Sequence, residues 1–369
     1  MHFHHLHFYV EDVALWRDWF ISKLGFSSNF EPGFESGFES GLDEPGFDEH
    51  TAAEATKVLA QGAIEIRLSD KADAVAAAYL HRHPPGLADV GFATDCFEEA
   101  LGRSLAAGAV LTRQVSLNAD GLRQCQLQGW ADLRHTLVEV SPQWIAAHLE
   151  MVSFTAPPAS WLCAIDHVVL NVPQGELAAA VAWYQRVFGL DGGQQFDITT
   201  TRSGLRSQVL THPQGTLQLP INEPSSANSQ IQEFLHHNRG SGIQHVALKS
   251  HDAVRAIAHF RQQGLDFISV PATYYSSLHQ RPDCPMPDTS AASQQQLLVD
   301  WRAGGQQGML LQTFTKPIFP EPTFFLEIIE RSTYTEAGHT KQAQGFGEGN
   351  FQALFEAIEL AQVERGSFS

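Results

Sequence analysis

The chain reads as an α+β protein made of four copies of one βαβββ module, two in each half. Two internal repeats and a matching pair of acidic late strands predict this. In the first repeat, Phe3-His-His-Leu-His-Phe-Tyr-Val10 aligns with Ile165-Asp-His-Val-Val-Leu-Asn-Val172. In the second, Gly86-Leu-Ala-Asp-Val-Gly-Phe-Ala93 aligns with Gly242-Ile-Gln-His-Val-Ala-Leu-Lys249. The acidic strands are Thr136–Val140, carrying Glu139, and Phe324–Ile329, carrying Glu327. A length of 369 residues suits two such halves.

Each element follows from local pattern. Residues 3–10 and 165–172 are apolar and β-branched over strand length. A helical pattern follows each and ends at Gly25 or Gly189, where a left-handed cap is expected. Trp19 stands as far before Gly25 as Trp183 does before Gly189. Asp89 and Gly108 keep the spacing of His245 and Gly264, again strand, helix, glycine. Pro142, Pro157, Pro158 and small polar residues mark a boundary near 141–163. The interval from Gly264 to Glu327 is much longer than that from Gly108 to Glu139, so the second half carries an insertion around 272–308. That stretch is rich in Ser, Pro, Gln and Asp and is expected to be a site-covering loop. The acidic, Phe-spaced segment 31–48 reads as a surface loop. Asn350 is placed to cap a final helix whose apolar stripe is Phe351, Leu354, Phe355, Ile358 and Ala361. Glycines in Gly345-Phe-Gly-Glu-Gly349 precede it, as a hinge before a lid would.

Composition narrows the function. Lys and Arg number 23 against 41 Asp and Glu, a formal net charge of −18, which disfavours nucleic acid and anionic membrane surfaces as partners. No apolar run reaches membrane-spanning length, and no signal peptide is evident, so a cytoplasmic location is expected. Cys96, Cys125, Cys163 and Cys284 lack metal-site spacing and read as reduced thiols.

His167, His245 and Glu327 carry the chemistry. Two imidazoles and a carboxylate from three strands can occupy one face of a metal ion, the facial set that suits non-haem Fe(II). His5, Asp89 and Glu139 hold the aligned positions in the first half and read as a degenerate copy.

Four blocks in order are specific. Gly242-Ile-Gln-His-Val-Ala-Leu, Leu311-Gln-Thr-Phe-Thr-Lys-Pro, Pro322-Thr-Phe-Phe-Leu-Glu-Ile-Ile-Glu-Arg and Gly345-Phe-Gly-Glu-Gly-Asn-Phe resemble the 4-hydroxyphenylpyruvate dioxygenase family of the vicinal-oxygen-chelate superfamily. The resemblance is strong over 160–365 and looser over 1–150. It implies two open-barrel-like mixed sheets with helices outside. Residues 1–150 would form a degenerate, structural or oligomerising domain, and 160–369 the catalytic domain with a lid helix near 350–365.

The resemblance further implies one Fe(II) per chain on His167, His245 and Glu327, with O₂ as co-substrate and no 2-oxoglutarate. The substrate would be an aromatic 2-oxo acid, 4-hydroxyphenylpyruvate. Oxidative decarboxylation and ring hydroxylation with side-chain migration would give homogentisate and CO₂. Ser207, Pro220, Asn222, Gln230, Gln244, Gln312, Phe314, Phe325 and Phe351 would bind it, with Gln230 and Gln312 also assisting catalysis. A homo-oligomer, dimer or tetramer, is implied as well. The rival readings are a 4-hydroxymandelate synthase, an extradiol dioxygenase and a non-catalytic binder of the same fold. Pro220, Asn222 and Phe351 keep the ring-hydroxylating pattern against the first. The glycine-rich block argues against the second, and the complete His/His/Glu set against the third.

Overall fold

The computed structural model describes residues 1–28, 56–118, 120–152, 160–200, 203–286, 288–301, 308–336, 338–364 and 366. The 31–48 segment lies outside the described residues.

The first half runs β1 (His2–Tyr9), α1 (Val13–Leu24), β2 (Thr56–Gln61), β3 (Ile64–Ser69), α2 (Ala74–Arg82), β4 (Gly86–Thr94), α3 (Phe97–Ala106), β5 (Leu111–Leu117), β6 (Arg123–Gln128), β7 (Arg134–Glu139) and α4 (Pro142–Val152). The second runs β8 (Ala164–Asn171), α5 (Leu177–Phe188), β9 (Asp191–Thr199), β10 (Gly204–Thr211), β11 (Gln218–Pro224), α6 (Gln230–Asn238), β12 (Gly242–Lys249), α7 (Ala253–Gln262), α8 (Ala272–Leu278), α9 (Ser290–Gln295), β13 (Leu298–Trp301), β14 (Met309–Phe314) and β15 (Phe325–Arg331). A hairpin of β16 (Thr333–Glu336) and β17 (His339–Gln342), then α10 (Phe351–Glu364), complete it.

Each half is built on one mixed sheet, with the β16–β17 hairpin apart from it. The strand orders are β2-β3-β1-β4-β7-β6-β5 and β13-β14-β15-β12-β8-β11-β10-β9. At each centre the two module-opening strands run antiparallel, β1 beside β4 and β8 beside β12. Each opening strand is flanked on its other side by the last strand of its own module, in parallel. This is the duplication legible in the sequence, except that two strands, not three, follow α1 among the described residues.

The glycine caps are where the spacing put them. Gly25 and Gly189 adopt left-handed φ of 77° and 65° at the ends of α1 and α5, a conformation costly for residues with a Cβ. Asp12 accepts from Leu15 N at the start of α1, and Asp252 from Arg255 N at the start of α7.

The halves share one continuous apolar core. Phe8 meets Phe324 at 5.2 Å between ring centroids, and Trp16 meets Phe319 at 4.4 Å. His135 donates from Nδ1 to the Val90 carbonyl at 3.1 Å, so its Nε2 accepts from the Tyr184 hydroxyl at 2.9 Å, across the two halves. All four cysteines are free, and no described helix is long and apolar enough to cross a membrane.

Two local expectations are corrected. Pro142 does not interrupt the chain but begins α4; proline fits a first helical turn because the amide hydrogen it lacks has no partner there. The insertion is not a loop alone but carries α8 and α9. Asn350 ends a 3₁₀ turn directly before α10, and its Oδ1 accepts from the Tyr274 hydroxyl at 2.7 Å.

Bulges repeat along with the strands. Between β8 and β12 the register passes from Ala247↔His167 to Leu248↔Ile165, leaving Asp166 as the extra residue, and from Ile243↔Leu170 to His245↔Val169, leaving Gln244. Between β1 and β4 the same two shifts leave His4 and Ala88. Each bulge precedes a position aligned with a candidate ligand. A bulge lets two successive side chains share one face of a strand, which regular pleating forbids.

Candidate active site

The second sheet brings His167, His245 and Glu327 together. β8 and β12 place the histidines on adjacent central strands, and β15, parallel to β12, sets Glu327 beside Ala247. Glu327 Oε2 lies 3.2 Å from His167 Nε2 and 3.7 Å from His245 Nε2. All three offer ligand atoms within 4.8 Å of one another.

Each imidazole is oriented differently. His167 donates from Nδ1 to Asp166 Oδ1 at 2.9 Å, which fixes Nε2 as the atom facing Glu327. His245 is held by stacking on Phe325, 4.8 Å between centroids and 15° between planes, and its buried Nδ1 has no partner. Burial depresses both imidazoles. For His167 the Glu327 and Asp166 carboxylates outweigh burial and push it up to about 9. For His245 nothing offsets burial, and it stays well below its ordinary value. A buried carboxylate facing two Nε2 atoms is a site that calls for a cation, and two imidazoles with one carboxylate suit a divalent transition metal.

The triad opens into a half-open cavity; the space in it and its mouth is about 690 Å³. Every residue singled out in the sequence lines it: His167, Ser207, Pro220, Asn222, Gln230, Gln244, His245, Gln312, Phe314, Phe325, Glu327 and Phe351. Ser207 on β10 pairs directly with Asn222 on β11. The Gln244 bulge lets Gln244 and His245 both face the cavity. Gln230 opens α6, whose cap Ser229 accepts from Ile231 N. Gln230 and Gln312 are 8% and 1% exposed, and their Oε1 atoms have no partner. Two buried acceptors pointing at nothing are costly unless a ligand donates to them.

Phe355 and Ile358 of the lid-helix stripe also line the cavity. The rest of the apolar wall, Val169, Phe196, Ile198, Leu205, Val209 and Phe346, the sequence reading missed. Phe346 meets the His167 ring edge-on at 5.3 Å. The glycines of the block around it carried that signal: Gly345 and Gly347 adopt φ of 98° and 75°. A Cβ on Gly347 would lie 2.2 Å from Gln312 Oε1.

On α10, Phe355 of the stripe is buried in a cluster with Leu205, Ile231, Phe234 and Leu235. Glu359 and Gln362, outside the stripe, are buried too. Glu359 Oε1 accepts from the Thr200 and Ser203 hydroxyls, each at 2.6 Å.

Among the described residues the first half does not gather the aligned His5, Asp89 and Glu139; His5 lies instead with His4 and Glu65, a second group able to hold a cation. Asp89 accepts from Thr136 N and Oγ1 and from Gln126 Nε2, while Glu139 pairs with Arg123. The constant register from Asp89↔Arg134 to Phe92↔Leu137 puts Thr136, not Glu139, beside Gly91, the position Glu327 takes beside Ala247. The aligned carboxylate is therefore a threonine hydroxyl bonded to Asp89.

Comparisons agree with this geometry. Residues 164–281 match the family described as Glyoxalase/Bleomycin resistance protein/Dioxygenase superfamily. The chain is 36% identical over 310 residues to a 4-hydroxyphenylpyruvate dioxygenase of Caenorhabditis briggsae, covering 78% of this chain and 76% of the relative. It is 33% identical to one from Legionella pneumophila, covering 88% and 90%. Among solved structures, a mutant 4-hydroxymandelate synthase from Streptomyces coelicolor has the same fold, with a TM-score of 0.76, 22% identity and 98% coverage of both chains. With its two-sheet fold, its His/His/Glu cluster and relatives matched along most of their length, the chain belongs to the 4-hydroxyphenylpyruvate dioxygenase family.

Proposed function

We propose that the chain catalyses the Fe(II)-dependent oxidative decarboxylation and ring hydroxylation of 4-hydroxyphenylpyruvate, giving homogentisate and CO₂. The observation that carries the reading is the juxtaposition of His167, His245 and Glu327 with the unpartnered Gln230 and Gln312 oxygens in one apolar cavity.

His167 Nε2, His245 Nε2 and a Glu327 oxygen would hold one iron per chain. Iron, when bound, supplies a template and redox centre for the reaction with O₂. The 2-oxo acid is the substrate itself, so no 2-oxoglutarate enters. The phenol donates its one proton to an unpartnered glutamine oxygen, that of Gln230 or of Gln312, and its oxygen accepts from the polar groups beside it, drawn from Ser207, Asn222 and Gln244. Losing that hydroxyl strands a buried acceptor at about 1–3 kcal/mol, which selects the hydroxylated ring. Pro220, Phe314 and Phe325 wall the ring. Phe346, Phe351 and Phe355 exclude water from it, with α10 as the lid. Residues 160–369 are the catalytic domain, and 1–150 a structural domain suited to homo-oligomer contacts. The enzyme works in the cytoplasm.

The test is product analysis. The apoprotein is loaded anaerobically with Fe(II), given 4-hydroxyphenylpyruvate and then O₂, and the products are separated. Homogentisate with stoichiometric CO₂, lost in His245→Ala, is expected. 4-Hydroxymandelate would overturn the reading of Asn222 and Phe351, and absence of iron binding would overturn the triad.

A further inference from the structure

Behind His167 lies a buried ion pair that the reaction itself does not use. Asp166 is 5% exposed and Arg331 is 4% exposed. Arg331 donates Nε to Asp166 Oδ2 and Nη2 to Asp166 Oδ1, both at 2.7 Å. The same Asp166 Oδ1 accepts from His167 Nδ1. The remaining arm of the guanidinium turns the other way: Nη1 donates to the Gly345 carbonyl at 2.8 Å and the Ala343 carbonyl at 3.1 Å. One side chain thus grips a candidate metal ligand's partner and the backbone that leads into the glycine-rich block. That backbone carries Phe346, whose ring meets the edge of His167.

Two features make this more than packing. Asp166 reaches His167 only because it is the extra residue of a bulge; in regular pleat the two side chains would leave opposite faces. The other half supplies an internal control. There His4 occupies the bulge before His5, with Nδ1 atoms 2.9 Å apart. The β7 register sets Val140 where β15 has Arg331. The half whose aligned positions do not assemble, and whose His4 and His5 lie with Glu65 instead, has neither acid nor arginine at these two places. A buried pair of this kind is costly to desolvate and is weak support for stability alone, whereas a planar guanidinium can bridge a carboxylate and two carbonyls as no lysine can.

We propose that Asp166 and Arg331 are positioning residues that couple occupancy of the metal site to docking of the segment 343–350, and so to closure of α10. Asp166 fixes the tautomer and direction of His167. Arg331 transmits that state to the Ala343 and Gly345 carbonyls. By linkage, whatever factor docking adds to metal affinity, metal must add to docking. The proposal rests on the metal reading of the triad.

The experiment uses the full chain and Co(II), with two readouts: Co(II) affinity from its visible absorption, and amide exchange of 343–350 with and without Co(II). In the wild type, Co(II) slows exchange there. Asp166→Asn weakens Co(II) binding by about 10–100-fold, the usual effect of losing a partner to a ligating histidine. Arg331→Lys keeps a charge beside Asp166 but cannot span both contacts. It abolishes the Co(II)-dependent protection of 343–350, with at most a several-fold loss of affinity, and it serves the test should Asp166→Asn not fold. Wild-type Co(II) affinity in Asp166→Asn, or full Co(II)-dependent protection in Arg331→Lys, would overturn the coupling. A wild-type chain that binds no Co(II) would overturn the metal reading, and the coupling with it.

Discussion

Glu359→Ala should release the C-terminal helix. Glu359 is an acid on the inner face of α10, 6% exposed, with one carboxylate oxygen taking both the Thr200 and Ser203 hydroxyls at 2.6 Å. A hydrogen bond to a charged group contributes about 1.5–3 kcal/mol, so the two together hold the helix by about 3–6 kcal/mol. Burying Phe355 on the neighbouring turn contributes about 1.5–3 kcal/mol. The polar anchor is thus the larger of the two. Taking its lower bound, about 3 kcal/mol, local opening of α10 becomes about two orders of magnitude more frequent. Amide exchange across 351–364, followed by mass spectrometry, should accelerate by that factor while β8 and β12 keep wild-type protection. The KM for the aromatic 2-oxo acid should rise in parallel, because Phe351, Phe355 and Ile358 leave the cavity wall together. Exchange within about threefold of wild type in Glu359→Ala, with clear acceleration in Phe355→Ala, would refute the assignment of the carboxylate as the anchor, since the two bonds should outweigh the ring.

Three further outcomes are expected. Gly347→Ala puts a Cβ 2.2 Å from Gln312 Oε1 at a φ of 75°, so Gln312 must swing away; steady-state kinetics should show a KM at least tenfold higher. Phenylpyruvate, lacking the phenol, should compete about 10–100-fold more weakly than the hydroxylated acid, and Gln230→Leu should narrow that gap, read from inhibition constants. Burial lowers His135 to about 4, against an ordinary value of 6.5, so between these pH values the unfolded chain binds the extra proton. Stability therefore falls as pH drops through that window, by about 2 kcal/mol for this group between pH 7 and 5; urea midpoints should record the loss, and His135→Phe should reduce the slope.

Much of the site was legible because the repeat fixes phase. His167 and His245 open equivalent modules, and strands that open equivalent modules meet at the centre of the sheet. What escaped had physical causes. Glu139 was matched to Glu327 by residue type, whereas register pairs Thr136 with that place; bulges leave no mark in periodicity. Pro142 reads as a breaker but starts α4. Helices as short as α8 and α9 carry too few turns for a 3.6-residue period to stand out from polar sequence. Glu359 lies outside the apolar stripe of α10 and a lone acid gives no sign of burial in a sequence; the hydroxyls that make burying it tolerable come from the distant Thr200 and Ser203.

The twin bulges have a consequence for redesign. The first sheet keeps His4 and Ala88 as extra residues before His5 and Asp89, although its aligned His5, Asp89 and Glu139 do not assemble. The bulges therefore belong to the repeated backbone and not to the residues it presents: the first sheet brings together His4, His5 and Glu65 where the second brings together His167, His245 and Glu327. Asp89→His together with Thr136→Glu would ask whether the repeated register alone can assemble the second set in the first sheet, read as a change in Co(II) stoichiometry.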